Sequence, residues 1–552
     1  MQSSSVLRRS TIRATPRLTL PRLSEGRSIF GLALCLYGLV ASVMVFAANI
    51  IQGDALSRVG NAEYVLYSHD PHLAAIGFVW NPLPSLLIMP LLPLKVLFPQ
   101  LVERGFAANI VSCVFMAGAV YQLWHILSDL GLHRGWRLLL TLLFALHPMV
   151  VFYGANGMSE APFLFFLILA TRCLAAWLAT PRLEWQVYTG LSLGAAYLCR
   201  YEALPAGLGV LIIVAIVSWT RARKASDRPL ATAGCDMAIV AAPFLLAVAV
   251  WAAASLIIVG HPFEQFSSIY GNGSQLRTQS LQNTADAGIG GLLQLLALEP
   301  LLLVVLVLGL LNAARWRELR VLAVLAVLGP VLAFAVSAHV TGAVAPWIRY
   351  FIVVIPLSSL MAGVALAGPG DDRPFGKRWL KPGFALLTTV SLVLAGLLAG
   401  AAMTNPAIAP EEGHELAYLT SGGVKTADEQ RAANRFVTER AIAGYLDGLN
   451  LPVGSVLVDT FIGFPVVLSS NRPDQFVITS DRDFKQSLAD PAGTGIRYLL
   501  VPRPSGLSTL DAINHGYPGI FASGAGIGRL VKDFPNIGDG SDWRLYQVTA
   551  AG

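Results

Sequence analysis

The run Leu83-Pro84-Ser85-Leu86-Leu87-Ile88-Met89-Pro90-Leu91-Leu92-Pro93-Leu94-Lys95-Val96-Leu97-Phe98-Pro99 decides how this chain is laid out. It is apolar enough to enter a bilayer. It is also short of the roughly 20 residues that a spanning helix needs. Pro84, Pro90, Pro93 and Pro99, with Pro82 just before them, interrupt any helix that forms there. If the run crosses the membrane, every later loop changes side.

Charge decides between the two layouts. Eleven other apolar segments are long enough to span, or nearly so: 28–50, 104–127, 137–152, 158–179, 186–201, 203–219, 237–259, 290–312, 320–339, 347–367 and 383–403. If 83–99 lies along or dips into the outer leaflet, one set of loops falls inside. These hold Arg134 and Arg137; Arg182; Arg221, Arg223, Lys224 and Arg228; Arg315, Arg317 and Arg320; and Arg373, Lys377, Arg378 and Lys381. The opposite layout puts these basic loops outside. Basic residues gather on the cytoplasmic side, so the non-crossing layout is the expected one.

The N-terminus carries Arg8, Arg9, Arg13, Arg17, Arg22 and Arg27 before the first apolar run. No small-residue cleavage site follows, so residues 1–27 read as a cytoplasmic basic segment leading into an uncleaved helix. The expected domains are then 1–27, a membrane domain over 28–403 with its first outer loop at 51–103, and an extracytoplasmic tail over 404–552.

Composition agrees with a polytopic membrane protein: 552 residues, 55% hydrophobic and 13% charged. The net charge of +6 is spread over short loops, which excludes a nucleic-acid surface. Cys35, Cys113, Cys173, Cys199 and Cys235 have no metal-ligand spacing and imply no disulfide framework. The tail changes character. A helical stretch at 428–449 is followed by short apolar runs at 456–458, 476–478, 497–501 and 543–548. Strands alternating with helices predict a small α/β layer. Gly524-Ala525-Gly526-Ile527-Gly528 lacks the strand and helix of a phosphate loop and reads as a flexible turn.

Ionisable residues at a membrane edge are costly and are candidates for function. In the first outer loop, Asp54, Arg58 and Asn61 share one helical face. Asp54 is either a helix cap paired to Arg58 or a carboxylate facing a cavity, where it stays ionised and can take a proton. Glu63 lies off that face and reads as solvated. His69, Asp70 and His72 are weak candidates for a divalent cation, since turn chemistry at Pro71 explains the same residues. Glu160 opens a helix on the same side; it is either a dipole-compensating acid or a second active-site acid. Arg200 and Glu202 form a local ion pair or a binding site. Arg349, beside Tyr350, has no acid near it in sequence and is either an interfacial anchor or a phosphate ligand. The loop 261–289 is long and polar enough to act as a lid.

These motifs resemble the GT-C glycosyltransferases that use sugars on polyprenyl phosphate, and among them the protein O-mannosyltransferases and bacterial aminoarabinose transferases. The resemblance rests on Asp54 just after the first span, on Trp80-Asn81-Pro82-Leu83, and on Phe144-Ala145-Leu146-His147-Pro148 leading to Tyr153 and Glu160. It covers about 28–210. It implies that Asp54 is the catalytic acid and that Glu160 serves the acceptor or a cation. Asn81 stands where related enzymes often carry Lys or His for the phosphate, and Gly53-Asp54 replaces a pair of acids. The tail does not match the mannosyltransferases' β-rich domain.

The expectation is therefore a multi-pass plasma-membrane enzyme performing hexosyl or pentosyl transfer with inversion. Asp54 and Glu160 are its catalytic candidates. Arg58, Asn61, Asn81, Arg200, Glu202, Arg349 and Tyr350 are its substrate-binding candidates, and a divalent cation is an optional cofactor. Its partners are a polyprenyl-phosphate-linked sugar, membrane lipids and a glycan, lipid or protein acceptor. The alternative is a transporter or lipid flippase with an outward polar site; such proteins carry broken helices at the membrane midplane.

Overall fold

The computed structural model describes residues 25–224, 228–268, 270–271, 274–275, 284–368, 380–420 and 426–549. The arginines from Arg8 to Arg22, the basic residues Arg373, Lys377 and Arg378, and residues 276–283 of the expected lid lie outside the described residues.

Each of the eleven expected apolar segments is helical, but they are not equivalent. Among the described residues, eight helices are unbroken and long and apolar enough to cross a membrane: Glu25–Ala47, Phe106–Asp129, Glu160–Ala179, Ala203–Ala222, Pro229–Val259, Val321–Val340, Ile348–Leu366 and Pro382–Met403. Two more crossings are bent pairs, Arg134–Ala145 with Pro148–Ala155 at 60° and Gly288–Leu298 with Leu302–Trp316 at 58°. These eight helices and two bent pairs account for ten of the eleven expected segments. The eleventh is the helix Leu183–Cys199, 17 residues long, which runs from Arg182 beside Asp129 and Arg172 at one end of the bundle to Arg200 beside Glu160 at the other.

The bends have local causes. Pro148 opens the second half of the first pair and Pro300 lies within the break of the second, and neither has an N–H to give to the preceding turn. His147 caps the second half of the first pair, its Nδ1 accepting from the Met149 amide at 3.3 Å. Leu183–Cys199 packs between Glu160–Ala179 and Pro229–Val259. Gly190 allows this, because a Cβ there would strike the Val240 carbonyl and the Pro243 ring.

The bundle has two distinct ends. At one, Glu25 pairs with Arg134 at 2.8 Å, Asp129 pairs with Arg172 at 3.3 Å, and Arg320 pairs with Glu318. At the other, Gly105 lies against Leu56, Gly157 lies against Ala55, and Asn109 Nδ2 donates to the Ala155 carbonyl at 2.6 Å. The helix Phe106–Asp129 therefore starts at the end where the first span finishes. The run between does not cross. It is a short helix, Leu83–Ile88, continued as a 3-10 turn over Met89–Val96 through Pro90 and Pro93. The basic loops described here lie at the opposite end, as the charge pattern requires.

The tail forms a five-stranded sheet in the order β2-β1-β3-β5-β4. β1 (Val456–Val458), β2 (Phe476–Ile478), β3 (Tyr498–Pro502), β4 (Gly528–Phe534) and β5 (Trp543–Val548) alternate with short helices. β1 is parallel to β2 and β3, whereas β5 is antiparallel to β3 and β4. The glycine run is not merely a turn. Gly524–Gly526 is a 3-10 turn that leads into β4, a strand whose exposed, weakly patterned residues hide it in the sequence.

The tail is docked onto the loop 51–103. Asp70 grips Arg482 at 2.7 and 2.8 Å, and His69 Nε2 meets Asp483 at 3.1 Å. Gln52 donates to Glu415 at 2.6 Å, and Leu468 from the tail is buried in the membrane domain's core.

Candidate active site

Five side chains from four separate stretches form a row of alternating charge. Asp54 sits in the first turn of the helix Gly53–Tyr67, whose free N–H groups favour an acid there. Its Oδ2 lies 3.2 Å from Arg349 Nη2. Arg349 Nε lies 3.8 Å from Glu160 Oε1, and Glu160 in turn accepts from Arg200 Nη1 at 2.5 Å. Arg200 Nη2 closes the row on Glu202 at 2.7 Å. Arg349 also binds Glu411 at 2.7 Å and lies over the Trp347 ring at 4.1 Å.

Exposure along the row is uneven: the side chains are 34% exposed at Asp54, 4% at Arg349, 1% at Glu160, 14% at Arg200 and 11% at Glu202. Asp54 therefore opens outward, while Arg349 and Glu160 directly behind it are sealed. It faces a cleft of about 450 Å³ between the membrane domain and the tail, a volume in the range of small-ligand sites. Behind the row, Glu160, Arg200, Glu202 and Arg349 meet an apolar wall of Val331, Phe334, Ala335 and Ala338.

The helix Pro410–Thr420 completes the site and was missed from the sequence. Pro410 in its first turn, followed at once by Glu411-Glu412 just beyond the last span, is a helix-start signal that could have exposed it. Burial pushes Glu411 up to about 8, against the downward pull of Arg349, and Glu415 up to about 7, against that of Arg435. Burial raises Glu412 as well, and Tyr153 hydrogen-bonds it. Several carboxyl groups crowded around few guanidinium groups cannot all remain ionised out of water.

Other candidates move. Arg349 is not unpaired; it is held by Asp54, Glu160 and Glu411. Asn81 is buried and donates to the Tyr197 carbonyl at 2.5 Å, so it ties down a helix end instead of facing the ion row. Arg58 is buried, donating to the Asp54 carbonyl at 3.3 Å and lying over Trp80 at 5.4 Å. Asn61 lines the cleft beside Asp54. Tyr350 stacks on Trp347 and presents its ring to Arg200 at 5.7 Å. Glu63 is not solvated; it is buried against Lys95. His69 and Asp70 are turned to Asp483 and Arg482, while His72 bonds the Asp70 carbonyl at 2.6 Å. Among the described residues no group of three or more His, Cys, Asp or Glu is arranged to hold a metal ion. The centre shared by Asp54, Glu160 and Glu411 is occupied by the Arg349 guanidinium.

Residues 95–251 match the family model described as dolichyl-phosphate-mannose-protein mannosyltransferase, which is less than a third of the chain. The match begins beyond Asp54. No curated protein matches the sequence. Among solved structures, ArnT from Cupriavidus metallidurans, bound to undecaprenyl phosphate, superposes with a TM-score of 0.52 at 13% identity, over 95% of this chain and 98% of ArnT. The oligosaccharyltransferase AglB from Archaeoglobus fulgidus, in complex with an inhibitory peptide and a dolichol-phosphate, gives 0.42 at 11% identity, over 86% and 69%. The ArnT likeness shows a GT-C-type fold, and it extends through the tail, well past the stretch where the motifs resemble the family.

Proposed function

We propose that the chain is a membrane glycosyltransferase that moves a sugar from polyprenyl phosphate to an acceptor hydroxyl on the extracytoplasmic face of the plasma membrane. The observation that carries this is the contrast in exposure between Asp54 and Arg349: Asp54, the most exposed member of its row, opens onto the cleft and is backed by a sealed guanidinium. The family match over 95–251 and the undecaprenyl phosphate bound to the structurally similar ArnT support the donor class.

The donor phosphate sits at Arg200 and Arg349, with its tail along Val331, Phe334 and Ala338. The acceptor oxygen attacks the anomeric carbon from the cleft side while the bond from that carbon to the phosphate oxygen breaks. The hydroxyl proton passes to Asp54, and the departing phosphate takes the electron pair against the two guanidinium groups. Attack opposite the leaving group inverts the anomeric centre. Glu160 does not touch the acceptor; it holds Arg200 and Arg349 in register.

The test is Asp54→Asn in purified protein, with transfer followed from a radiolabelled polyprenyl-phosphate sugar. The amide keeps the shape and removes the base, so transfer falls by about 10²-fold or more. Undiminished transfer removes Asp54 from the mechanism. Lipid translocation in proteoliposomes without sugar transfer replaces the enzyme reading by a flippase.

A further inference from the structure

The cleft beyond Asp54 has a second wall that the sugar-transfer step does not use. On the helix Gly53–Tyr67, Asp54, Ser57, Asn61 and Tyr64 follow the spacing i, i+3, i+7, i+10 and line one side. Ten residues of helix make this stripe about 15 Å long. The opposite side is built by the tail. β1 and β2 are parallel, and their carboxyl ends deliver Asp459, Thr460, Thr479 and Ser480 to the cleft. The chain goes from β1 to β2 on one side and then to β3 on the other. Leu507, after β3, also lines the cleft. A crevice outside the carboxyl ends of parallel strands, where the strand order reverses, is where α/β layers bind ligands.

The chemistry of the lining selects among ligands. Asp459 is fully buried, and its four hydrogen bonds are satisfied internally. Its Oδ1 accepts from the Phe461 amide at 2.8 Å and Thr479 Oγ1 at 2.9 Å, and its Oδ2 from the Ala512 amide at 2.6 Å and the Tyr270 hydroxyl at 3.1 Å. It is a positioning residue. It fixes the Tyr270 ring against Phe461, with centroids 4.9 Å apart, as a platform facing the stripe. On the helix side Ser57 and Asn61 bring a hydroxyl and a half-buried amide to the cleft, and on the tail side Thr460, Thr479 and Ser480 bring hydroxyl-bearing side chains. The charged lining of the cleft is mostly acidic, Asp54, Glu439, Asp459 and Asp539 against Arg435, which disfavours an anionic ligand there.

We infer that this cleft binds a neutral, polyhydroxylated acceptor, a glycan chain. It lies along the Ser57–Asn61–Tyr64 stripe with its sugar faces on Tyr270, Phe461 and Trp80, and its terminal hydroxyl is delivered to Asp54. Hydroxyl and amide groups on one wall and aromatic rings on the other match the two kinds of surface a sugar ring presents. This rests on the glycosyltransferase reading and names its acceptor.

The experiment uses purified full-length protein in nanodiscs. Its donor is the lipid extract of ¹⁴C-glucose-labelled cells lacking this protein, and its acceptor is the unlabelled envelope of the same cells. Label is expected in a protease-resistant, periodate-sensitive fraction. Asn61→Ala and Phe461→Leu are expected to raise the acceptor KM about tenfold each, the loss of roughly one hydrogen bond or ring contact, with donor KM unchanged. Asn61 is only half-buried, so Asn61→Ala guards against a folding failure in the other variant. Label in a protease-sensitive or solvent-extractable product overturns the glycan assignment, as does an unchanged acceptor KM in both variants. No transfer by the unmodified protein overturns the glycosyltransferase reading itself, and this inference with it.

Discussion

The Arg349 guanidinium meets the Asp54 carboxylate at 3.2 Å across 295 residues of chain. The contact joins the start of the first outer loop to the mouth of a late span. It sets the direction of the Asp54 carboxylate, because Arg349 is itself fixed by Glu411, Glu160 and the Trp347 ring. A point charge cannot replace this. Arg349→Lys keeps the charge but loses the planar fork and the stack. It is expected to fold and to lose more than about tenfold in transfer rate, since a donor to one buried group is worth about 1.5–3 kcal/mol when charged. Arg349→Met strands buried acids and is expected to cost about 3–5 kcal/mol, read as a large fall in melting temperature. A lysine variant with full activity would reduce Arg349 to a structural tie.

Glu411 supplies a pH dependence with a definite sign. Burial raises it to about 8, far above an unfolded carboxyl. The folded state therefore binds more protons than the unfolded one between roughly pH 4.5 and 8. That contribution to stability is complete below the unfolded value and is lost as pH rises through about 8. Melting temperature should fall across this window, and Glu411→Gln should flatten its upper part, leaving the step from Glu415 near 7. The same ionisation adds an anion on Arg349, so donor KM is expected to rise above pH 8 in the wild type and to rise less in Glu411→Gln. A pH-independent donor KM would disconnect Glu411 from the phosphate.

What the sequence disclosed follows from where its signals lie. The charge pattern separates 83–99 from the spans because a parity change affects every later loop at once. Asp54, Glu160, Arg200 and Arg349 were visible as ionisable residues at span ends, where such residues are rare. Their partners were not, because the row is assembled across up to 295 residues and no local spacing encodes it. Glu411 escaped because an acid after the last span looks like the start of a soluble tail. Asn81 misled for the opposite reason. Its place beside Pro82 fits a family motif, but its amide is consumed by a backbone carbonyl. β4 was lost because an exposed strand following glycines lacks the continuous apolar run that marks β1 to β3.

Asn81→Ala separates those two views of Asn81. Removing the amide leaves the Tyr197 carbonyl without its donor and is expected to cost about 1–3 kcal/mol. Melting temperature should fall while donor KM stays unchanged. A rise in donor KM with unchanged stability would return Asn81 to the phosphate.

Glu160 and Arg200 give the sharpest separation of structure from chemistry. Arg200→Gln leaves Glu160 and Glu202 facing each other with less compensation, at an expected cost of about 3–5 kcal/mol. Glu160→Gln costs less, because Arg200 keeps Glu202 at 2.7 Å. In the double variant Glu160 is no longer a stranded acid, although Glu202 still lacks its partner, so the loss of stability should be smaller than the sum of the two by about 1 kcal/mol or more. Activity should not follow. The phosphate still lacks the Arg200 guanidinium, so the double variant is expected to recover part of the summed loss of stability yet transfer no faster than Arg200→Gln. If transfer recovers together with stability, Arg200 does no more than balance Glu160, and Arg349 alone meets the leaving phosphate.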